Sequence, residues 1–259
     1  MRRAIPWLGL LLLAVSFAWF VQSLPVPMQP AAAPRKPAPR SEPPLVVVLD
    51  PGHGGQDSGA MCGTVTEKDL TLDVALRTEL LLRADGCATV LTRKNDRYLS
   101  LAERAAVGNR EDNSLFVSIH FNDETRATVT GVETYYAPRQ LASRFGFLSW
   151  LPFLHLAEAS PLTAQSESLA NYIQAALIGR TGAVNRGTKS EQFYVIANVR
   201  HPAALVEGGF LTNKSDVTRL ATTEYRQQIA AAISDGVHRY REAIRQGEPT
   251  LALAAGPPE

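Results

Sequence analysis

The chain has 259 residues, 45% of them hydrophobic and 20% charged, which suffices for one full-sized domain plus appendages and is too apolar for a disordered chain. Its 26 Lys and Arg against 25 Asp and Glu leave a formal charge of +1, without the basic excess that a nucleic-acid partner requires. No DNA or RNA partner is therefore expected.

Residues 1–23, MRRAIPWLGLLLLAVSFAWFVQS, start basic and continue as an uncharged apolar run. That is the build of an export signal or of a single membrane anchor. Val21 and Ser23 are small enough for a cleavage site, while the run is just long enough to span a bilayer. Either reading places the remainder in the periplasm or cell envelope, free or held to the inner membrane by this segment. Residues 24–44 repeat proline every few positions and favour an extended spacer of roughly 3.1 Å per residue. A single domain then spans 45–243, and 244–259 form a tail.

Within the domain, VVVLDP reads as a strand that ends in the glycine-rich turn GHGG. EKDLTLDVALRTELLLRADG has apolar residues at helical spacing (Leu70, Val74, Leu81) and stops at Gly86. CATVLTR is a second strand, and SLAERAAVGNRED opens a helix with Ser100 and Glu103 at capping-box spacing. LFVSIHF is a continuous apolar strand, as expected when both faces are covered, and GVETYYA is another. SESLANYIQAALIGRTG is an amphipathic helix with Leu169, Ile173, Ala176 and Leu177 on one face. QFYVIANV and PAALVEGGF are expected as strands, and TEYRQQIAAAISDGVHRYREAI as a long closing helix. The alternation predicts an α/β fold, a mostly parallel twisted sheet flanked by helices on both faces, with room for an antiparallel edge strand.

Cys62 and Cys87 match no metal-binding spacing, and a disulfide and two thiols are both compatible with an exported chain.

His53 follows the carboxyl end of the first strand, His120 ends SLFVSIH, and Glu207 ends PAALVE. Sites in open α/β sheets gather at the carboxyl ends of strands, so the three are expected on one edge, with Glu67 near it at the first helix start. Two histidines and a carboxylate form a ligand set of catalytic zinc, and a second carboxylate supplies the general base that hydrolysis needs. Each residue also has a structural reading: a loop histidine, a satisfied core histidine, a first-turn glutamate. Glu207 resists one, because a carboxylate between AALV and GGF would be buried unpaired at high cost. His201 and His238 read as surface residues.

In this order, VVLDPGHGG with the following D.GA, EKDLTLDVALRTELL, VLTR, SLAERAAVGN, LFVSIHFN, GVETYY, FYVI and ALVEGGFLTN resemble the zinc-dependent N-acetylmuramoyl-L-alanine amidases of the amidase-3 type. The resemblance implies His53, Glu67 and His120 as zinc ligands and Glu207 as the catalytic glutamate. It implies hydrolysis of the amide between N-acetylmuramic acid and L-alanine in peptidoglycan, by a monomer. Two features depart from the family pattern. Gly208 stands where many members carry a larger apolar residue, which could widen the pocket or loosen Glu207. Residues 138–165 form an insert where regulated members place an inhibitory helix; here Glu158 or His155 could reach the zinc, and an activator protein could act on the segment. Alternatively the insert is packed on the domain, or serves as a lid or membrane contact. Two other functions stay open, an exported zinc peptidase acting on stem peptides and a wall-binding homologue without catalysis.

Overall fold

The computed structural model describes residues 45–140 and 161–247. Contacts divide the chain into Met1–Glu42 and Pro43–Glu259, and every element below belongs to the second unit. The apolar N-terminal segment, the proline-rich stretch and most of the insert, His155 and Glu158 included, lie outside the described residues.

Strand β1 (Val46–Pro51) leads through the GHGG turn to a minimal hairpin, β2 (Met61–Cys62) and β3 (Val65–Thr66), which delivers the chain to helix α1 (Glu67–Ala84). There follow β4 (Ala88–Leu91), α2 (Leu101–Gly108), β5 (Ser114–Asn122) and β6 (Val132–Tyr136). After the undescribed segment come α3 (Pro161–Thr181), β7 (Asn185–Ser190), the single turn α4 (Tyr194–Ala197), β8 (Ala203–Phe210), α5 (Lys214–Leu220) and α6 (Thr223–Gln246). The six-stranded sheet has the order β4-β1-β5-β8-β6-β7.

Period-two alternation of side chains gives this sheet two unlike faces. Val47, Leu49, Val117, Ile119, Ala204 and Val206 point to one face and are buried under the long helices α1, α3 and α6. Leu169, Ile173 and Leu177 of α3 have no exposure, as their helical spacing predicts. Val48, Phe116 and Leu205 point to the other face, in a smaller cluster with Ala105 of α2 and Val195 and Ile196 of α4. Only short helices cover that face. α2 starts with the predicted capping box, in which the Glu103 amide donates to Ser100 Oγ at 3.3 Å and the Ser100 amide to Glu103 Oε2 at 2.8 Å.

Several expectations require correction. QFYVIANV is not a strand: Tyr194–Ala197 form one helical turn that buries Val195 and Ile196. Over so short an apolar run, periodicity cannot separate strand from helix. The strand is instead the polar Asn185–Ser190, which pairs on one side only and has no core face to mark it. The antiparallel component is two strands rather than one edge strand, since β6 runs antiparallel to β8 and β7 runs parallel to β6. Helix α3 begins at Pro161, a residue suited to a first helical turn, so the last residues of the 138–165 insert are helix. Both cysteines are free, Cys62 exposed and Cys87 buried.

Candidate functional site

β1 carries a buried aspartate, Asp50, next to its last residue, Pro51, and then leaves the sheet through an irregular turn. His53 holds φ +57°, and among the described residues no other non-glycine lies at positive φ. Such a conformation costs roughly 1–2 kcal/mol and persists only where its surroundings impose it. Two buried arginines do so. Arg93, 1% exposed, donates from Nε to the Pro51 carbonyl at 3.0 Å and from Nη2 to Gly52 at 2.7 Å and Lys68 at 2.8 Å. Arg104 donates to the carbonyls of Pro51 and His53 and, from Nη1, to Asp50 Oδ1 at 2.9 Å. Thr92 and Ser118 donate their hydroxyls to the same aspartate. The turn's backbone thus has partners although it belongs to no regular element.

Glycine is required where this turn meets His120 and Glu67. A Cβ at Gly52 would lie 2.3 Å from the His120 ring, and one at Gly59 would lie 2.5 Å from Glu67 Oε2 at a φ of +63°.

Glu67 is the first residue of α1 and is buried at 4% exposure. Its Oε1 lies 3.0 Å from His53 Nε2 and 2.9 Å from His120 Nδ1, and also accepts the Phe121 amide at 3.1 Å. Its Oε2 accepts the Ala60 amide at 2.9 Å. Burial alone would raise the Glu67 carboxyl, but the two imidazoles hold it well below the usual carboxylate range. The donor atoms of His53, Glu67 and His120 all lie within 4.8 Å of one another. A tetrahedron with metal–ligand bonds of about 2.1 Å has an edge of about 3.4 Å, so these three side chains fit a zinc-sized cation. The remaining His53 nitrogen, Nδ1, is 2.9 Å from Asp57 Oδ2, and Asp57 Oδ1 accepts the Gly59 amide at 3.1 Å. Burial lowers the His53 pKa, but Glu67 and then Asp57 outweigh it, so the net shift is upward from 6.5.

Glu207 lies on β8 beside His120 of β5 in register, and Glu133 of β6 lies beside Glu207 on its other side. All three belong to the sparsely covered face, which Asp50 and Ser118 share. As a residue Glu207 is half-buried, yet its Oε2 is buried without a hydrogen-bond partner. Burial, then the charges of Glu67 and Glu133, raise its pKa well above the ordinary carboxylate value. Glu133 is fully paired: it accepts from Asn122 Nδ2 at 2.7 Å, Tyr135 OH at 2.5 Å, Arg186 Nε at 2.9 Å and Lys189 Nζ at 2.6 Å.

A cavity of about 90 Å³ opens between His53, His120, Tyr98, Leu101 and Val195. A larger one, of about 340 Å³, lies between α1 and α6 among Asp73, Arg77, Leu80 and Gln227 and holds none of these groups.

The four residues singled out in the sequence are therefore brought to one edge. Gly208 is turned away from it: a Cβ there would meet Phe121 at 2.8 Å and Ile229 at 3.4 Å, on the helix-covered face. A larger residue at 208 would press on the core, and glycine does not widen the pocket. His238 is exposed and pairs with Glu242, whereas His201 is half-buried, which depresses its pKa. Asp57, Arg93, Arg104 and Glu133 were not singled out. Asp57 carried a local signal, four residues after His53, and Arg104 sits among alanines on a helix face that has to be buried.

Known proteins resemble the chain over most of the described domain. The N-acetylmuramoyl-L-alanine amidase family model, Amidase_3, matches residues 47–239. LytC of Bacillus subtilis, an N-acetylmuramoyl-L-alanine amidase, is 37% identical over 194 residues, covering 75% of this chain but only 35% of that protein, so the chain spans about a third of this relative's length. The germination-specific N-acetylmuramoyl-L-alanine amidase of the same organism is 31% identical and is covered to 82%, with 79% of this chain. An N-acetylmuramoyl-L-alanine amidase structure from Clostridium difficile 630 superposes with a TM-score of 0.65 at 31% identity, covering 77% of this chain and 98% of that one. The chain belongs to the N-acetylmuramoyl-L-alanine amidase family of the amidase-3 type.

Proposed function

We propose that the chain hydrolyses the amide between the lactyl group of N-acetylmuramic acid and L-alanine of the peptidoglycan stem, with His53, Glu67 and His120 holding zinc and Glu207 as general base. The observation that carries this is the register of β5 and β8, which sets Glu207 beside His120 on the face where three metal-type donors converge.

Bound by two imidazoles and a carboxylate, zinc supplies Lewis-acid polarisation and acidifies water. The chain's own groups do the rest. Asp57 accepts a hydrogen bond from His53 Nδ1–H and so fixes the tautomer that leaves Nε2 for the metal. Glu207 accepts a proton from the attacking water and passes it to the departing alanine nitrogen, a role for which a raised pKa suits a carboxylate near neutral pH. The arginine-clamped turn holds His53 in place while this happens.

The chain acts in the cell envelope, in keeping with its cell-wall amidase relatives. Residues 1–23 serve export or anchoring; among the described residues no helix is long and apolar enough to cross a membrane. The CwlD amidase of Clostridioides difficile has been solved in complex with the GerS lipoprotein, at 26% identity to this chain. By that precedent a protein partner acting through residues 138–165 would regulate this one.

The test incubates the full-length chain with purified peptidoglycan, with zinc or with a chelator, and identifies products by mass spectrometry. Intact stem peptides with a free L-alanine amine, lost on chelation and restored by zinc, are expected. Shortened stem peptides would identify a peptidase instead, and no release from zinc-loaded protein would identify a wall-binding homologue.

A further inference from the structure

Two carboxylates lie side by side on the open face. Glu207 of β8 and Glu133 of β6 are partners in the antiparallel ladder, so their side chains leave the sheet on the same side, with β-carbons about 5 Å apart. They are served very differently. Glu133, 3% exposed, collects four donors, Asn122 and Tyr135 on Oε1 and Arg186 and Lys189 on Oε2. The buried Oε2 of Glu207 has none.

The strand order shows where the Glu133 carboxylate sits. Asn122 belongs to β5 and Glu133 to β6, and β8 runs between them. The 2.7 Å bond from Asn122 Nδ2 to Glu133 Oε1 therefore crosses β8, the strand that carries Glu207. The cations follow the carboxylate inwards. Arg186 starts on β7 at the sheet edge, yet its guanidinium lies 5.2 Å from the ring centre of Phe210, a β8 residue. Lys189 Nζ, 2.6 Å from the same Oε2, lies over the Tyr135 ring. Both positive groups are thus drawn from the edge towards the strand of the general base, and both end on Glu133.

An unpaired carboxylate is a natural acceptor for such cations, and a base held in an ion pair has to break a charge-assisted hydrogen bond before it can turn to water. Lys189 is the freer of the two. Arg186 is stacked on Phe210, whereas an ammonium on a four-carbon stem can swing to any acceptor within reach.

We infer that Glu133 is a positioning residue for the hydrolysis: by binding Arg186 and Lys189 it keeps them off Glu207 and leaves the general base free to meet water. The inference rests on the amidase reading above. It asks no contact of Glu133 with substrate or metal.

The experiment uses the full-length, zinc-loaded chain and a synthetic N-acetylmuramoyl-L-alanyl peptide. Glu133→Gln keeps the shape of the side chain and removes its charge, releasing the cations to Glu207. The expected result is a fall in kcat of about 10- to 100-fold, the range of one charge-assisted hydrogen bond, with KM within about twofold. Deleting a released cation as well, in Glu133→Gln/Lys189→Met or Glu133→Gln/Arg186→Gln, should restore most of that rate. No loss in Glu133→Gln, or a loss that neither double variant restores, would overturn the inference, because a role confined to packing is not repaired by removing a further partner. A second readout needs no turnover. Glu207→Gln should leave the melting temperature unchanged in the wild-type background and lower it by about 2–4 °C in the Glu133→Gln background, where the carboxylate has gained a partner to lose. Equal effects in the two backgrounds would overturn the inference as well. Product formation by wild type tests the amidase reading separately. Should Glu133→Gln fail to fold, Glu133→Asp takes its place in both comparisons, since its shorter side chain cannot reach Asn122 and the cations together.

Discussion

The two faces of the sheet divide the work of the molecule. On one, α1, α3 and α6 bury a largely apolar layer in which Val47, Leu49, Leu177, Ile229 and Ile233 have no exposure. On the other, two short helices cover a smaller cluster, and the strand ends project Asp50, Ser118, His120, Glu133 and Glu207 instead of aliphatic side chains. Where the sheet is thickly covered it supplies stability. Where it is thinly covered it can hold charges that a full layer would strand without partners.

Substitutions on the two faces should separate accordingly. Glu207→Gln removes the proposed base and is expected to lower kcat by about 10²- to 10⁴-fold while zinc stoichiometry stays at one. Its melting temperature should not fall, because the carboxylate oxygen it replaces has no partner to lose; near-normal turnover would remove Glu207 from the mechanism. Leu177→Ala on the covered face should cost about 3 kcal/mol in denaturant unfolding and leave kcat per folded molecule within about twofold. A large activity loss there would mean that the faces are coupled.

Asp57→Asn probes the junction between the proposed metal donors and the turn. Without its carboxylate, His53 loses an orienting partner, and zinc affinity measured by competition with a chelating dye should fall about 10- to 100-fold. A pH dependence goes with it. Glu67 and Asp57 raise the His53 pKa above 6.5, so below that raised value zinc has to displace a proton, and affinity should drop up to about tenfold per pH unit. In the variant one raising partner is gone, so the drop should set in at lower pH; an unchanged onset would count against the pairing. The smallest effect is expected from Ser100→Ala, which breaks the cap of α2 and should cost about 1 kcal/mol of stability.

These contrasts also explain what the sequence disclosed. The covered face announces itself by period, since α3 and β5 present their apolar residues at the spacing that burial demands. His53, His120 and Glu207 stood out as candidates because a histidine among glycines, another at a strand end and a glutamate between apolar runs each violate that period, whereas Glu67 looked like an ordinary first-turn glutamate. Glu133 violates it too, inside VETYY, but what makes it tolerable is contributed by Arg186 and Lys189, more than fifty residues away. The arginine clamp was hidden for a similar reason. Arg93 and Arg104 bind backbone carbonyls, and a carbonyl leaves no mark in a sequence. β7 was missed because a strand paired on one side needs no apolar stripe, and α4 was misread because four buried residues do not fix a period.

The position of β7 has a consequence of its own. Among the described residues it is the last strand of the sheet and pairs with β6 alone, and an edge of that kind is where another chain could build. The sequence Asn-Arg-Gly-Thr-Lys-Ser is a poor template for that: it is short, bent at Gly187 and charged at Arg186 and Lys189. Two copies approaching strand to strand would set like charges against each other. Arg186 and Lys189 thus work against copies of this chain zipping into a continuous sheet along this edge.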